Sequence, residues 1–356
     1  MNNLRFRSAA VIYAAVAALL AACGGSQPPI GAPGAISPSR AIITHADRRG
    51  SWMLPEAKND DLLYASNQSA ADEGVYVYSY PKRKLVGELT GFSYNTPAGL
   101  CSDSKGNIFV TSGWLSSSGQ FHGQIDEYAH GAVSPIETLS DPAAANGCAI
   151  DPTTGNLAVT NWAGQAGSYD HGDVAIYPNA QGTPTIYYTS TIYWYLYCAY
   201  DDTGDLFVDG YAEGGPYPLA VLPTGSTSFL NVTLDQESFE PGSLQWLNGD
   251  LLITGGTSNK SPIELYTVQI SGTTGTIVEA TTLKSKRRAA PLYAQFWTQG
   301  GSVIGPSHSD NRLEFWKYPA GGRPMRAIKG QPSTEFIGVA ISLGSKSRRT
   351  REAAPR

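Results

Sequence analysis

The sequence predicts an all-β fold, a six-bladed β-propeller, from a repeated turn, the period of that turn and two complementary chain ends. The turn is polar, ends in glycine and leads into a short apolar strand, as in 201–209, where Asp-Asp-Thr-Gly-Asp precedes Leu-Phe-Val-Asp. Copies with the same form occur at 103–110 and 151–159, and weaker ones lie at 248–253 and 299–304.

The turn glycines recur at spacings of 49, 49, 45 and 51 residues, from Gly106 through Gly155, Gly204 and Gly249 to Gly300. Repeats of this length are typical of propeller blades or solenoids. A tight reversal between paired strands needs a residue with positive φ, which glycine adopts without steric cost. Asp103, Asp151 and Asp201, which begin the three stronger turns, can bond to the turn amides, so we interpret these aspartates as structural rather than as calcium ligands.

Each repeat divides into four short strands, and the third alternates apolar and polar residues before ending in Tyr, often followed by Pro. This ending occurs at 75–81, 174–178 and 313–319. The predicted strands of the five complete units are 99–102, 107–111, 124–129 and 135–139; 147–150, 157–161, 173–177 and 183–188; 197–200, 206–209, 219–222 and 228–234; 243–246, 251–254, 263–268 and 276–283; and 295–298, 302–305, 312–318 and 325–328.

The chain ends supply a sixth sheet. Segments 61–66, 74–81 and 84–90 form a unit that lacks its first strand, and 336–343 is a first strand with nothing after it. Pairing the C-terminal strand with the N-terminal ones closes the ring of four-stranded antiparallel blades and removes the open edge. A linear solenoid is the alternative, and it predicts capping repeats at both ends.

Composition agrees with many short strands and excludes one class of partner. Of 356 residues, 15% are charged, and Gly (39), Pro (23) and Tyr (20) are abundant. This composition is typical of strands joined by turns. The formal charge of -5 gives no basic footprint, so no nucleic acid is expected as a partner.

The N-terminus carries a targeting signal. Arg5 and Arg7 precede an apolar run from Ala9 to Ala22, and Cys23 comes next. This arrangement resembles a bacterial lipobox, so lipidated Cys23 would anchor an exported protein to a membrane; a plain signal peptide or an uncleaved anchor is the alternative. The outer membrane, periplasm or cell surface is the expected location. The predicted segments are a signal peptide at 1–22, the lipidated cysteine and a Pro/Gly-rich tether at 23–58, the propeller at 59–344 and a basic disordered tail at 345–356.

Three cysteines remain beyond Cys23, so at least one is unpaired within the chain. Cys148 and Cys198 occupy the same place in their repeats, three residues before the turn aspartate. We interpret them as small buried core residues, while the pairing of Cys101, Cys148 and Cys198 stays open.

The turn-plus-strand unit with its Tyr-Pro ending resembles the NHL-repeat propellers and the related gluconolactonase-like and virginiamycin-lyase-like propellers. More narrowly, the chain is similar to bacterial lipoproteins with six-bladed propeller domains. The similarity covers 61–344 and rests on motifs that build blades, so it implies a fold and carries no chemistry of its own.

The catalytic relatives suggest two alternatives. Gluconolactonase-like propellers hold a divalent cation such as Ca²⁺ with Glu, Asn and Asp, and Asn161 and Asp209 are candidate ligands, without an identifiable Glu. A lyase-like enzyme would use a histidine base, for which His122 and His171 are candidates. No serine nucleophile elbow or phosphate-binding glycine loop is present, so we expect neither catalysis nor a cofactor.

The loops favour binding instead. Aromatic rings with polar tips suit sugars or extended peptides, although they also pack loops and fill channels. The leading hypothesis is a monomeric, membrane-tethered module that binds a carbohydrate, a peptide or an envelope protein, and a scaffold within an envelope assembly is a further possibility. The candidate ligand-binding residues, expected on one loop face, are Trp114, Trp162, Tyr169, Tyr193, Trp194, Tyr195, Tyr211 and His308.

Overall fold

Short strands joined by turns account for most of the described chain. The computed structural model describes residues 50–92, 96–164, 171–212, 218–235, 242–255, 263–285, 294–307 and 311–352. The strands are β1 (Trp52–Met53), β2 (Asp61–Asn67), β3 (Gly74–Tyr80), β4 (Lys84–Leu89), β5 (Pro97–Ser102), β6 (Ile108–Leu115), β7 (Phe121–Tyr128), β8 (Glu137–Asp141), β9 (Ala145–Ile150), β10 (Leu157–Asn161), β11 (Asp173–Tyr177), β12 (Thr185–Tyr187), β13 (Trp194–Tyr200), β14 (Leu206–Tyr211), β15 (Leu219–Leu222), β16 (Leu230–Leu234), β17 (Leu244–Leu247), β18 (Asp250–Gly255), β19 (Ile263–Ser271), β20 (Thr274–Leu283), β21 (Trp297–Gln299), β22 (Ser302–Ser307), β23 (Arg312–Lys317), β24 (Gly321–Lys329) and β25 (Phe336–Ser342). Two 3-10 turns, Pro55–Lys58 and Pro178–Ala180, and one helix, α1 (Ser345–Glu352), complete the elements.

Antiparallel neighbours succeed one another along the chain, as the repeat predicts. β5 to β8 form one four-stranded sheet, here called the second sheet, and β9 to β12 form another, the third sheet. β13 to β16, β17 to β20 and β21 to β24 pair in the same way, but short parallel contacts at Thr233↔Thr274 and Leu283↔Gly322 join these three sheets. The join was not predicted. It arises because β20 is 10 residues long and its two ends reach β16 and β24.

The remaining sheet, here called the first sheet, combines strands from both ends of the described chain, in the order β1-β4-β3-β2-β25. β25 pairs antiparallel with β2, from Leu62↔Ser342 to Asn67↔Phe336. β1 adds an outer strand to β4, and Trp52 Nε1 donates to Glu88 Oε2 at 3.1 Å. The predicted tether boundary at residue 58 is therefore too late, because the sheet already begins at residue 52.

One strand at the edge of each sheet contacts its counterpart in the next sheet. These six strands, here called the inner strands, are β25, β5, β9, β13, β17 and β21; each contacts the next, and β21 contacts β25. Two glutamine side chains add to these contacts by pairing with the main chain. Gln295 Oε1 accepts from Leu100 N at 2.8 Å while its Nε2 donates to Leu100 O at 2.5 Å, and Gln245 forms the same pair with Thr298.

The core lies between neighbouring sheets. Leu62, Tyr64 and Val77 of the first sheet pack against Leu100 and Val110 of the second, and all five are buried. Burying each large apolar side chain contributes about 1.5–3 kcal/mol. Packing of adjacent sheets, rather than any single sheet, therefore stabilises the fold.

The aspartates of the repeated turns are structural, as predicted. Asp103 Oδ1 accepts from Asn107 N at 2.7 Å, and Asp201 Oδ1 accepts from Thr203 N at 2.8 Å. Gly106 and Gly204 have φ values of 84° and 91°, which explains why glycine occupies the end of each turn. The turn thus uses its polar residues for its own amides.

The basic tail differs from its prediction. Residues 345–352 form α1 rather than a disordered segment. Asp61 Oδ2 accepts a hydrogen bond from Ser347 Oγ at 2.8 Å, and Arg348 Nη1 donates to Leu343 O at 2.7 Å, so contacts with the first sheet hold the helix start. In the part of the chain that the structure describes, no helix combines the length and apolar character needed to cross a membrane.

The cysteines resolve into one pair and one buried thiol. Cys101 on β5 and Cys148 on β9 form a disulfide with a Cα–Cα distance of 5.6 Å, and Cys198 on β13 is free and buried. Both Cys148 and Cys198 are buried in the core, as interpreted from the sequence, and the pairing left open there is Cys101 with Cys148. Cys198 packs in a cluster that includes Ala149 of the neighbouring inner strand.

Candidate functional site

The candidate site lies at one end of the sheets, here called the loop end, where each inner strand begins and the next strand finishes. The ends of β10 and β14 and the starts of β11 and β13 meet there. Trp194 at the start of β13 pairs directly with Tyr211 at the end of β14. Strand direction therefore places several of the predicted aromatic residues on this end, in two neighbouring sheets.

Four rings form a continuous row, here called the aromatic cluster: His171, Tyr193, Trp194 and Tyr211. The ring centroids of His171 and Tyr193 are 4.4 Å apart, those of Tyr193 and Trp194 are 5.6 Å apart, and those of Trp194 and Tyr211 are 6.0 Å apart. Trp194 is 38% exposed. The last two contacts are edge-to-face, a favoured geometry for aromatic pairs.

Main-chain hydrogen bonds fix this row. Gly172 N donates to Tyr193 O at 2.8 Å, and Tyr193 N donates to Tyr211 O at 2.6 Å. A Cβ at position 172 would lie only 2.0 Å from Asn161 O, so glycine is needed for the main chain to pass this close to Asn161. The rings are thus held before any ligand arrives, which reduces the entropy lost on binding.

Two further aromatic pairs lie at the same end of the second and third sheets. His122 stacks on Trp114, with ring centroids 4.8 Å apart and planes at 24°. Trp162 meets Phe121 edge-on at 4.8 Å. His122 was expected in a loop before the third strand, but it lies within β7 and pairs with Trp114 across the strands, because β7 begins at Phe121 rather than at residue 124.

One predicted ligand residue is part of the core. Tyr195 has no exposed surface, and its hydroxyl accepts from Thr189 N at 2.6 Å. Its neighbour Trp194 is exposed because adjacent strand residues face opposite sides. Tyr195 is therefore removed from the binding set. The predictions for Tyr169, His308 and Cys23 fall outside the described residues.

A buried polar network that the sequence did not reveal lies beside the aromatic cluster. Asn161 Nδ2 donates to Asp173 Oδ1 at 2.6 Å and also bonds to Asp141. Asp141 accepts from Ala143 N at 3.0 Å and from Tyr177 at 2.8 Å. Burial raises the pKa of Asp141 to about 7, although these donors lower it.

Asp209 occupies a place that hydroxyl side chains fill in other sheets. Thr111 Oγ1 accepts from Gly99 N at 2.9 Å and donates to Asn146 O of the next inner strand. Thr160 likewise donates to Leu196 O at 2.8 Å. At the equivalent place Asp209 Oδ1 accepts from the inner strand of its own sheet, while its buried Oδ2 has no hydrogen-bond partner among the described residues. Burial raises the pKa of Asp209 well above its usual value, although the hydrogen bond from Tyr197 N lowers it, so the protonated form is favoured.

These residues do not fit the divalent cation site suggested by the gluconolactonase resemblance. Asn161 directs its amide nitrogen toward carboxylates, and Asp209 lies inside another sheet, bonded to a main-chain amide. Within the described ranges, no three His, Cys, Asp or Glu side chains are grouped so that they could hold a metal. His122 and His171 contact aromatic rings. The four candidate catalytic or metal residues are thus divided among different local environments.

No protein-family model and no curated protein matches this chain. Among solved structures, a nidogen/laminin complex is similar with a TM-score of 0.56 and 13% identity, covering 80% of this chain and 98% of the other. A protein of unknown function from Bacteroides caccae is similar with a TM-score of 0.57 and 12% identity, covering 80% and 99%. The β-propeller domain of Myceliophteria thermophila Cps50 (Swd1) gives a TM-score of 0.49 and 10% identity, covering 80% and 86%.

At such identities a structural likeness concerns the fold alone. The first two similarities cover almost the whole of the other protein's chain and 80% of this one. The sheets described above have the antiparallel, sequential pairing of propeller blades. The chain therefore has an all-β fold of the propeller type.

Proposed function

We propose that this protein is an exported, membrane-anchored propeller that binds an extended ligand, a glycan chain or a peptide, through the aromatic cluster at its loop end. Catalysis is not part of the proposal. The observation that carries it is the row of four rings from His171 to Tyr211, held by main-chain hydrogen bonds. Such rings bury apolar area against a sugar face or a peptide while their polar tips stay wetted.

A ring of six blades is part of this proposal. Its support is the cyclic order of contacts among the inner strands, in which β21 contacts β25 and β25 contacts β5. The pairing of β25 with β2 and the bridge from Gln295 to Leu100 agree with it. In a closed ring the loop ends of neighbouring blades share one face, which brings the Trp114–His122 stack to the same side as the aromatic cluster.

Export is supported by two independent features. The basic, apolar and Cys23 segments of the N-terminus occur in the order of a lipoprotein signal. The Cys101–Cys148 disulfide suits an oxidising compartment, because cytosolic thiols are kept reduced. Incorporation of an alkyne-labelled fatty acid tests the anchor directly, and Cys23→Ala abolishes the label if Cys23 carries it.

A glycan array and a peptide library probed with the purified protein test the binding proposal. We expect Trp194→Ala to weaken binding of the best ligand about tenfold or more, since buried aromatic anchors dominate such interfaces. Tyr188→Ala is the matched control, because Tyr188 is 74% exposed and lies outside the aromatic cluster. Equal losses in the two variants, or none in Trp194→Ala, would contradict the proposal.

A further inference from the structure

Two arginines from different sheets line one cleft beside the edge of the first sheet. Arg83 lies in the turn between β3 and β4, and Arg326 lies on β24. We propose that this cleft, which does not involve the aromatic cluster, binds a small organic anion: an oxyanion carried on a flat apolar body. Its volume is about 580 Å³, and its other lining residues are Tyr80, Pro81, Ser302, Phe315 and Met325.

The two guanidinium groups have donors available for a ligand. Arg83 Nη1 donates to Pro81 O at 2.9 Å, and Arg326 Nη1 donates to Met325 O at 2.9 Å. A guanidinium carries five N–H donors, so each bond leaves most of them unused. Within the described part of the chain, neither arginine forms an ion pair.

Unlike Arg83, the lysines on either side of it form ion pairs with carboxylates. Lys82 Nζ lies 2.8 Å from Asp60 Oδ2, and Lys84 pairs with Glu56. The turn therefore directs its lysines to carboxylates of the same protein and leaves the arginine facing the cleft. Arg83 also has a φ of 61°, a left-handed conformation that is uncommon for a residue with a side chain.

The carboxylate that acts on the cleft wall is already engaged. Asp61 raises the pKa of the Tyr80 hydroxyl, after the larger effect of burial. Asp61 accepts from Gly344 N at 2.7 Å and from Ser347 Oγ at 2.8 Å. These bonds hold Asp61 toward the start of α1, and among the described residues Asp61 forms no ion pair with Arg83 or Arg326.

An apolar surface accompanies the two charges. The guanidinium carbon of Arg83 lies 5.8 Å from the centre of the Phe315 ring, and Met325 is 45% exposed. Tyr80 donates its hydroxyl proton to Gln299 O at 3.0 Å, which fixes its ring as a wall. A flat hydrocarbon body can lie on these side chains while its charged end meets the arginines.

The chemistry of the cleft selects the ligand class. Arginine pairs bind carboxylate, sulfate and phosphate groups through parallel hydrogen bonds that a neutral ligand cannot form. The cleft volume lies within the range of small-molecule sites, about 300–1,000 Å³. A compact aromatic anion matches both this volume and the mixture of apolar and arginine side chains in the lining.

Calorimetric titration of the full chain with three probes tests this proposal: 2-naphthoate, 2-naphthyl phosphate and the neutral 2-naphthamide. We expect at least one anion to bind about tenfold more tightly than the amide, the value of one charge-assisted hydrogen bond. The comparison of carboxylate with phosphate identifies the preferred head group. Equal binding of all three probes, or binding of none, overturns the proposal.

Variants separate the cleft from general charge effects. Arg83→Gln and Arg326→Gln should each weaken anion binding about tenfold and leave the amide unchanged. Arg323→Gln is the matched control, because Arg323 is an exposed arginine of β24 outside the cleft lining. An effect of Arg323→Gln equal to that of Arg326→Gln overturns the assignment, and unchanged melting temperatures verify that the variants fold.

Discussion

The main-chain amide of Tyr197 donates to Asp209 Oδ1 at 3.2 Å, where other sheets place a threonine hydroxyl. The other carboxyl oxygen is buried without a hydrogen-bond partner among the described residues. We expect Asp209→Thr to raise the free energy of unfolding by about 1–3 kcal/mol, the cost of one unsatisfied buried polar group. Urea unfolding measures this gain, and Asp209→Asn, which keeps an amide in the same place, should gain less. A loss of stability in Asp209→Thr would show that the carboxyl group makes a bond that a hydroxyl cannot replace.

The same substitution should change the pH dependence of stability. The folded-state pKa of Asp209 is raised by burial, so its stabilising contribution is complete below the unfolded pKa of about 4 and is lost as pH rises. The stability advantage of Asp209→Thr over the natural chain should therefore grow as pH rises above about 4. A gain independent of pH would mean that Asp209 is ionised in the folded protein.

Asp141 should change the free energy of unfolding over a limited pH range. Its pKa is about 7 in the folded protein, so stability falls as pH rises from about 4 and levels off above about 7. The difference between Asp141→Asn and the natural chain should rise through that interval and then stay constant. Unfolding series from about pH 4 to about pH 9 measure both ends, and a difference still rising above about pH 8 would contradict the pKa.

A second inter-sheet disulfide should form in Ala149→Cys. Ala149 pairs with Ala158 in the same register as Cys101 pairs with Phe109, so the side chain at position 149 faces the next sheet. Cys198 of that sheet packs in the same core cluster as Ala149. The bridge would repeat Cys101–Cys148 one sheet further along and should add about 2–4 kcal/mol of stability. Peptide mapping should find the new thiol joined to Cys198. Ala149→Ser is the control, and a Cys198 thiol that stays free in Ala149→Cys disproves the equivalence.

Removal of the last strand should unfold the first sheet. A chain ending before Phe336 exposes the edge of β2, which β25 otherwise pairs from Leu62 to Asn67. We expect a lower unfolding midpoint and loss of a single cooperative transition. A chain ending at Gly344, which lacks only the basic helix and the last few residues, is the matched control and should unfold near the natural midpoint. Equal stability of the two shortened chains would remove the case for ring closure.

Local signals made the strands predictable. The glycine turns show where a strand begins, and the alternation of apolar and polar residues shows how far it extends. The predicted strands 157–161, 173–177 and 219–222 therefore match β10, β11 and β15 residue for residue. Strand direction alone places Trp194 and Tyr211 at the loop end, where Tyr193 joins their row. These properties depend on neighbours in sequence.

The contacts between sheets were not predicted from the sequence. Cys101 lies one residue beyond the place that Cys148 occupies in its own repeat, since Leu100 pairs with Val110 as Cys148 pairs with Val159. The two cysteines therefore point to opposite faces and meet between adjacent sheets. The one-residue offset was the available signal. The Asp141 network had no comparable signal, because its members come from β8, β10 and β11 of two sheets.

The sheet shared by β2 and β25 imposes an order on assembly. β2, β3 and β4 are synthesised early, but β25, the partner of β2, follows all the other described strands in the chain. During synthesis that edge stays open, and the earliest sheet is the last to be completed. By contrast, β5 to β8 and β9 to β12 each come from one continuous stretch of chain, so these two sheets can pair while the edge of β2 is still open.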